Sequence, residues 1–453
     1  MHGMGDAATY RELGEAAWAW TLHHVRQDDG PWLPETVTGG EPEPAADRDC
    51  FYAGIGGLAP VLAELRLHRP LTDAETALAD GIVARLAAQA ATRVEPSLYD
   101  GLAGDATALR LLAPGRERVA LDRLERLRTP DGWPTTFTIR PDSSAPLTDV
   151  VMGSAGIVHA ATWTGDAALM TTGGEALLRA AEPTAAGLDW RMWPGYRSSS
   201  PNFSHGTAGV AAALAVAGHA LGRTDFVDAA RRGAEHVLSV GDLSGGGFVV
   251  PHTIPPSQRE VEPVTYNWCH GPAGTSQLFP ALALAGVRQV GGLDVADLRR
   301  RCLHSVLTCG LPARLRPGFW DNDGRCCGTA GVGDILLDAA QDAAWSAGRA
   351  PDGSPAGGDP EAAEPLLAGA RTMAGALVER ALHDGTGACW RFIEHREDPP
   401  LLPPRTSWMQ GTAGIAAFLL RLARVEEEGL TAPVVDRPDQ WWTVPAPLRL
   451  SGR

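Results

Sequence analysis

The sequence predicts an all-α fold, a closed (α/α)7 toroid of seven outer and seven inner helices built from a single domain over residues 1–453. Three observations predict it. A Gly-x-x-Gly element recurs about seven times at intervals of roughly fifty to eighty residues, so a repeat architecture takes precedence over any single motif. Each copy opens a run of Ala, Leu, Val and Ile about three turns long, apolar nearly all round, as a buried inner helix must be. Between the copies lie amphipathic segments whose apolar residues recur at spacings of three and four, the pattern of outer helices.

In chain order, the outer segment YRELGEAAWAWTLHHVR is followed by the inner segment FYAGIGGLAPVLAEL from Phe51, and LADGIVARLAAQAA by LYDGLAGDATALRLL from Leu98. RVALDRLERL precedes DVVMGSAGIVHAA from Asp149, and GEALLRAAE precedes FSHGTAGVAAALAVAG from Phe203. DAARRGAEHVLSV leads to NWCHGPAGTSQLF from Asn267, VADLRRRCLHSVL to DGRCCGTAGVGDILL from Asp323, and AEPLLAGARTMAGALVERAL to SWMQGTAGIAAFLLRLA from Ser407. The glycine pairs suit tight turns, because glycine reaches positive φ and admits close backbone approach. Strand signals are sparse; GGFVVPHTI reads as a hairpin within a loop. The Pro/Gly-rich stretch 348–365 reads as an exposed loop insertion before the last outer helix.

Composition narrows the function. A net charge of −15 argues against a nucleic-acid partner, which needs clustered basic residues to displace counterions. The N-terminus has no basic start followed by an apolar run, and no apolar stretch is long enough to span a membrane, so a cytoplasmic location is expected. All 39 basic residues are arginine and none is lysine, a bias expected of a GC-rich bacterial genome. Seven cysteines, an odd number, argue against a disulfide framework and leave metal binding, catalysis or burial.

If the turns before the inner helices converge, the residues just ahead of each glycine pair share a site. These are Asp100, Asp149, His205, Cys269, His270, Cys326 and Cys327. Thiolate and imidazole are the usual ligands of Zn²⁺, and three protein ligands with a fourth position open mark a catalytic ion. An isolated cysteine is more often a small buried hydrophobe. Three at equivalent turn positions favour one metal, held by Cys269, Cys326 and Cys327. Cys50, Cys302, Cys309 and Cys389 lack that placement and read as structural. His205 is an imidazole able to exchange a proton near neutral pH. Asp100 reads as a helix cap.

The motifs WCHGPAG and CCGTAG, set in the seven repeats, resemble those of the lanthionine synthetase C-like peptide cyclases. The resemblance implies Zn²⁺ bound by Cys269 and Cys326, with Cys327 standing where the family usually has histidine. A three-thiolate zinc is then expected, with a formal charge of −1, which makes a bound substrate thiolate more electron-rich at some cost in Lewis acidity. It also implies an acid–base pair in His205 and Asp149, a place beside the metal for His270 and Trp268, and loss of an arginine contact where this chain has Thr265. The implied reaction adds cysteine thiols of a precursor peptide to dehydroalanine or dehydrobutyrine, forming (methyl)lanthionine thioether rings. The implied partners are that dehydrated precursor, with its leader segment, and a separate dehydratase, since the repeats leave no room for such a domain. Two rivals remain at this point: a related protein that adds a small thiol such as glutathione to dehydrated peptides or only binds peptides, and an α/α-toroid glycosidase using Asp100 and Asp149.

Overall fold

The computed structural model describes residues 6–38, 40–136, 146–257, 262–313, 322–346, 362–394 and 397–443. Outer and inner helices alternate along the chain. The pairs are α1 (Ala7–His24) and α2 (Ala59–His68), α3 (Asp73–Gln89) and α4 (Leu102–Leu112), and α5 (Arg118–Leu127) and α6 (Ser154–Thr164). They continue with α7 (Ala167–Ala180) and α8 (Thr207–Leu221), then α9 (Thr224–Val240) and the interrupted inner pair α10 (Pro272–Thr275) and α11 (Leu278–Leu284). The last are α12 (Val295–Thr308) and α13 (Thr329–Ser346), and α14 (Ala363–Arg380) and α15 (Thr412–Glu428). The inner helices are buried on every face, as their Ala- and Leu-rich composition requires: each of the residues Thr207–Gly218 of α8 is buried. The outer helices bury one stripe. In α5 only Ala120, Leu121 and Leu124 do so, while its charges face water.

The fifth inner helix departs from the expected continuous run. Pro280 in α11 has no N–H to offer the carbonyl of Ser276, and its ring excludes that carbonyl from helical position, so the helix breaks at Ser276–Gln277.

The repeat glycines work by close approach, not by positive φ: none of the seven pairs has a left-handed backbone. Gly206, the N-cap of α8, is extended at φ −166°. A Cβ on Gly274 would run into the carbonyl oxygen of Trp268, and one on Gly331 into that of Arg325. Each turn thus folds back onto the first turn of the helix it precedes, and only glycine leaves room.

The chain groups into two compact units. One holds the described residues up to Ile82, those from Leu307 to Asp436, and Thr443; the other holds Val83–Val306 and Arg437–Trp442. In the first, α1 and α2 pack on α15, and α13 packs on α14; in the second, α8 packs on α6, α7, α9 and α11. Within each unit, successive helix-start turns are stitched by backbone hydrogen bonds. In the second unit Tyr99 N–H donates to Val151 O, Val150 N–H to Ser204 O, and Ser204 N–H to Cys269 O. In the first, Cys326 N–H donates to Met409 O and Met409 N–H to Tyr52 O.

Among the described residues, strands are confined to four two-stranded antiparallel ribbons: β1 (Glu182–Pro183) with β2 (Leu188–Asp189), β3 (Gln289–Val290) with β4 (Leu293–Asp294), β5 (Leu382–Asp384) with β6 (Gly387–Cys389), and β7 (Arg391–Ile393) with β8 (Leu401–Pro404). GGFVVPHTI forms no strand. Its ladder elements are two isolated reciprocal pairs, Asp242 with Val249 and Ser199 with Ile254, and Phe248 N–H donates to Arg301 O and Ser305 Oγ. Of the predicted insertion 348–365, residues 348–361 lie outside the described residues, and Ala363 already starts α14. No helix among the described residues is long and apolar enough to cross a membrane.

Candidate metal centre

The turns before α6 and α8 bring two titratable groups together. Asp149 is fully buried, and its Oδ1 accepts the backbone N–H of Met152 at 2.9 Å, closing the turn. Its Oδ2 lies 2.6 Å from Nδ1 of His205. Against an ionised carboxylate Nδ1 carries the hydrogen, and Nε2 is the nitrogen on the far side of the ring. The His205 side chain keeps 27% of its exposure, so the pair has a buried anchor and an accessible ring.

The next turn holds Cys269. Its carbonyl accepts both the N–H and the hydroxyl of Ser204, at 3.1 and 2.9 Å. Asn267 Oδ1 accepts from the Cys269 thiol at 3.2 Å and from the backbone N–H of His270 at 2.9 Å, so one amide sets both residues. Trp268 points inward, 4% exposed, edge-on to Tyr99 and Phe203. It anchors the turn.

His270 lies between two other imidazoles. Its ring stacks on His252 at 3.8 Å and stands 5.4 Å from that of His205. Burial and then the neighbouring imidazoles hold the His270 pKa well below its ordinary value, and burial lowers that of His252 to about 4. Both rings are therefore neutral at pH 7.

Cys326 and Cys327 occupy the turn before α13. The turn is tied down by Cys326 N–H to Met409 O at 2.8 Å and by Thr329 N–H to Asn322 O at 2.9 Å. Beneath it lies a buried ionic network. Arg325 reaches Asp334 at 2.5 Å and lies 4.2 Å over the ring of Trp408, while Arg421 binds Asp334 at 2.8 Å and Asp338 at 2.6 Å.

Cys269 in one unit and the adjacent Cys326 and Cys327 in the other are buried thiols in the turns before α10 and α13, donors of the kind that hold an ion through bonds of about 2.3 Å. Exposure rises from 3% at Cys269 through 6% at Cys326 to 9% at Cys327, so Cys327 is the outermost. Three buried soft donors fit a thiophilic cation such as Zn²⁺. Among the described residues the other cysteines join no group of candidate metal ligands. Cys50, Cys302 and Cys389 are buried, and burial raises the thiol pKa of Cys302 strongly and that of Cys389 to about 11. Asp100 does not cap α4, whose N-cap is Gly101 with no side-chain bond; its backbone carbonyl accepts from Arg93.

The pattern of the family described as Lanthionine synthetase C-like protein matches residues 46–346, about two-thirds of the chain. The chain belongs to the lanthionine synthetase C-like family. All five of Asp149, His205, Cys269, Cys326 and Cys327 fall within the matched span. Among solved structures, nisin cyclase is similar at 16% identity and a TM-score of 0.54, covering 83% of this chain and 89% of that chain. That likeness shows the fold, which is all-α and of the α/α-toroid class. An unsaturated glucuronyl hydrolase specific for heparin is similar at 10% identity and a TM-score of 0.43, over 93% of this chain and 97% of that chain. No curated protein matches the chain in sequence.

Sequence reasoning missed His252 and Asn267 in this lanthionine synthetase C-like site. His252 lies outside the glycine turns, in a loop that no repeat register marks. Asn267 stands two residues before Cys269, and a short amide ahead of a helix start is a recognisable turn-bonding signal.

Proposed function

We propose that the protein is a zinc-dependent lanthionine synthetase that closes thioether rings in a dehydrated precursor peptide. The observation that carries this reading is the match of residues 46–346 to the cyclase-like family, with buried Cys269, Cys326 and Cys327 in the turns that precede inner helices. These three residues would hold the ion, which would supply activation of the peptide thiol. When bound, zinc lowers the pKa of that thiol so that thiolate is available at neutral pH.

The remaining chemistry belongs to the chain. The sulfur attacks the β-carbon of a dehydroalanine or dehydrobutyrine, a C–S bond forms, and the π electrons move to the α-carbon and its carbonyl as an enolate. His205 delivers a proton from its Nε2 side to the α-carbon, restoring a saturated residue. Asp149, 2.6 Å from Nδ1, orients the ring and stabilises its protonated form. The thiol gives up one proton and the α-carbon gains one, so peptide mass does not change. Neutral His270, 5.4 Å from the His205 ring, and His252 stacked on it add no positive charge that would compete for Asp149. A separate dehydratase supplies the substrate.

Incubating the zinc-loaded protein with a dehydrated peptide, followed by thiol alkylation and mass spectrometry, tests this. Loss of alkylatable thiol at constant mass is expected. A mass gain in the presence of glutathione would instead make it an intermolecular thiol-adding enzyme. No reaction, or no zinc in the purified protein, overturns the reading.

A further inference from the structure

A pocket of about 250 Å³ opens beside the last outer helix, lined by Asp323, Arg380, Leu382, Arg391, Ile393 and Leu401. Its walls are unusual for a water-facing surface. Leu382 on β5 and Leu401 on β8 are 44% and 47% exposed, among the few large apolar side chains that the described surface leaves open. Ile393, opposite Leu401 in the β7–β8 ribbon, adds a third aliphatic group.

The polar groups are not equivalent. Arg380 is committed, donating to Asp323 Oδ1 at 2.8 Å and to the carbonyl of Pro312. Arg391 is exposed and forms no ion pair among the described residues. Two guanidiniums against one carboxylate leave the pocket locally cationic in a chain whose net charge is −15. An unpaired arginine among aliphatic walls complements a ligand that brings a carboxylate and an aliphatic group together.

The floor of the pocket belongs to the cysteine turn. Asp323 stands three residues before Cys326, no more than about 11 Å away along an extended backbone. The N–H of Ile393 donates to Asn322 Oδ1 at 2.6 Å, tying β7 to the same loop.

We propose that this pocket binds an extended, acidic and aliphatic segment of the peptide substrate, with a carboxylate on Arg391 and a neighbouring side chain packed on Leu382, Ile393 and Leu401. The assignment rests on the peptide-cyclase reading for its occupant. Seated there, the peptide is held within a few residues' reach of Cys326 and Cys327.

The test uses the full chain and three fluorescein-labelled synthetic peptides read by fluorescence anisotropy: alternating Glu and Leu, alternating Lys and Leu, and alternating Glu and Ser. The Glu/Leu peptide should bind, weakening with added salt, and the other two should bind at least tenfold more weakly. Arg391→Glu should weaken Glu/Leu binding at least tenfold, and Leu401→Ser several-fold. Arg391→Gln, a milder change at an exposed position, should weaken it less than Arg391→Glu does. Unchanged affinity in Arg391→Glu, or a preference for the Lys/Leu peptide, overturns the proposal. Zinc content measured on the same samples separates the two readings. Zinc present without selective binding removes the pocket and leaves the cyclase; selective binding without zinc removes the cyclase and leaves a peptide-binding surface.

Discussion

Oδ2 of the fully buried Asp149 lies 2.6 Å from Nδ1 of His205, although 56 residues separate them in the chain. The same carboxylate closes its own turn through Met152 N–H, a bond that holds it independently of the histidine. A charge-assisted bond from a buried acceptor fixes ring orientation and leaves one nitrogen for chemistry.

Asp149→Asn should therefore retain zinc and fold while lowering turnover by about 10²-fold or more, because the amide no longer stabilises a protonated ring. His205→Ala should behave alike, and the double variant should be little worse than either single one. Initial rates with a dehydrated peptide, alongside metal analysis, measure this. Additive losses in the double variant would mean that the two residues act separately.

Cys269→Ala and Cys326→Ala should each reduce bound zinc from near one equivalent to a small fraction. Cys327→Ala should do the same despite the greater exposure of that residue, whereas Cys327→His should keep the metal, since imidazole is an equally good zinc ligand. Metal analysis of purified variants decides it. Full zinc and activity in Cys327→Ala would remove that residue from the ligand set.

The ionic network below the cysteine turn predicts a large stability loss on Asp334→Ala. Arg325 and Arg421 would each lose a partner where exposure of Asp334 is 1%. Breaking a buried ion pair by removing one partner costs about 3–5 kcal/mol. A denaturant midpoint unchanged from the parent would mean that water reaches these guanidiniums.

Gly331→Ala places a methyl group against the Arg325 carbonyl, which is backbone and has no room to swing aside. The variant should lose roughly 1–3 kcal/mol, and its zinc affinity should fall because the strained loop carries Cys326 and Cys327. Gly222→Ala tests a different term, since φ there is +66° with open space around it, and its effect should be confined to stability.

Stability should fall as acid is added, through histidines buried as the neutral base. His159 is fully buried, stacked on Trp442 with ring centroids 5.0 Å apart, and burial lowers its pKa to about 3. In the unfolded chain it titrates near 6.5. The unfolded state therefore binds more protons between these values, and stability drops as pH falls from about 6.5 towards 3, by a total on the order of 5 kcal/mol. His159→Phe should flatten that part of the profile in denaturant titrations at stepped pH. An unaltered slope would assign the acid sensitivity elsewhere, with His252 the next group to test.

Much of the fold was legible in the chain because each repeat states its own secondary structure. The apolar runs of α8 and α15 have no polar face to show water, and the stripes of α5 and α9 have one each, so inner and outer roles follow from local pattern alone. The glycine pairs marked the turns correctly, although the reason differs: they admit a carbonyl, and a local sequence does not reveal which atom approaches from six residues back. Pro280 was visible, but its break in the fifth inner helix was overlooked within an otherwise apolar run.

The sequence by itself determined the alternation of helices, the turns at which titratable and thiol groups are offered, and the identity of the paired cysteines. Tertiary structure alone decided which of those groups meet. The approach of Asp149 to His205, the stacking of His252 on His270, and the burial of Arg325 on Asp334 join residues from separate helices or loops. Their pairing depends on how side chains pack and are desolvated, and that is a property of the folded neighbourhood, which no single segment encodes.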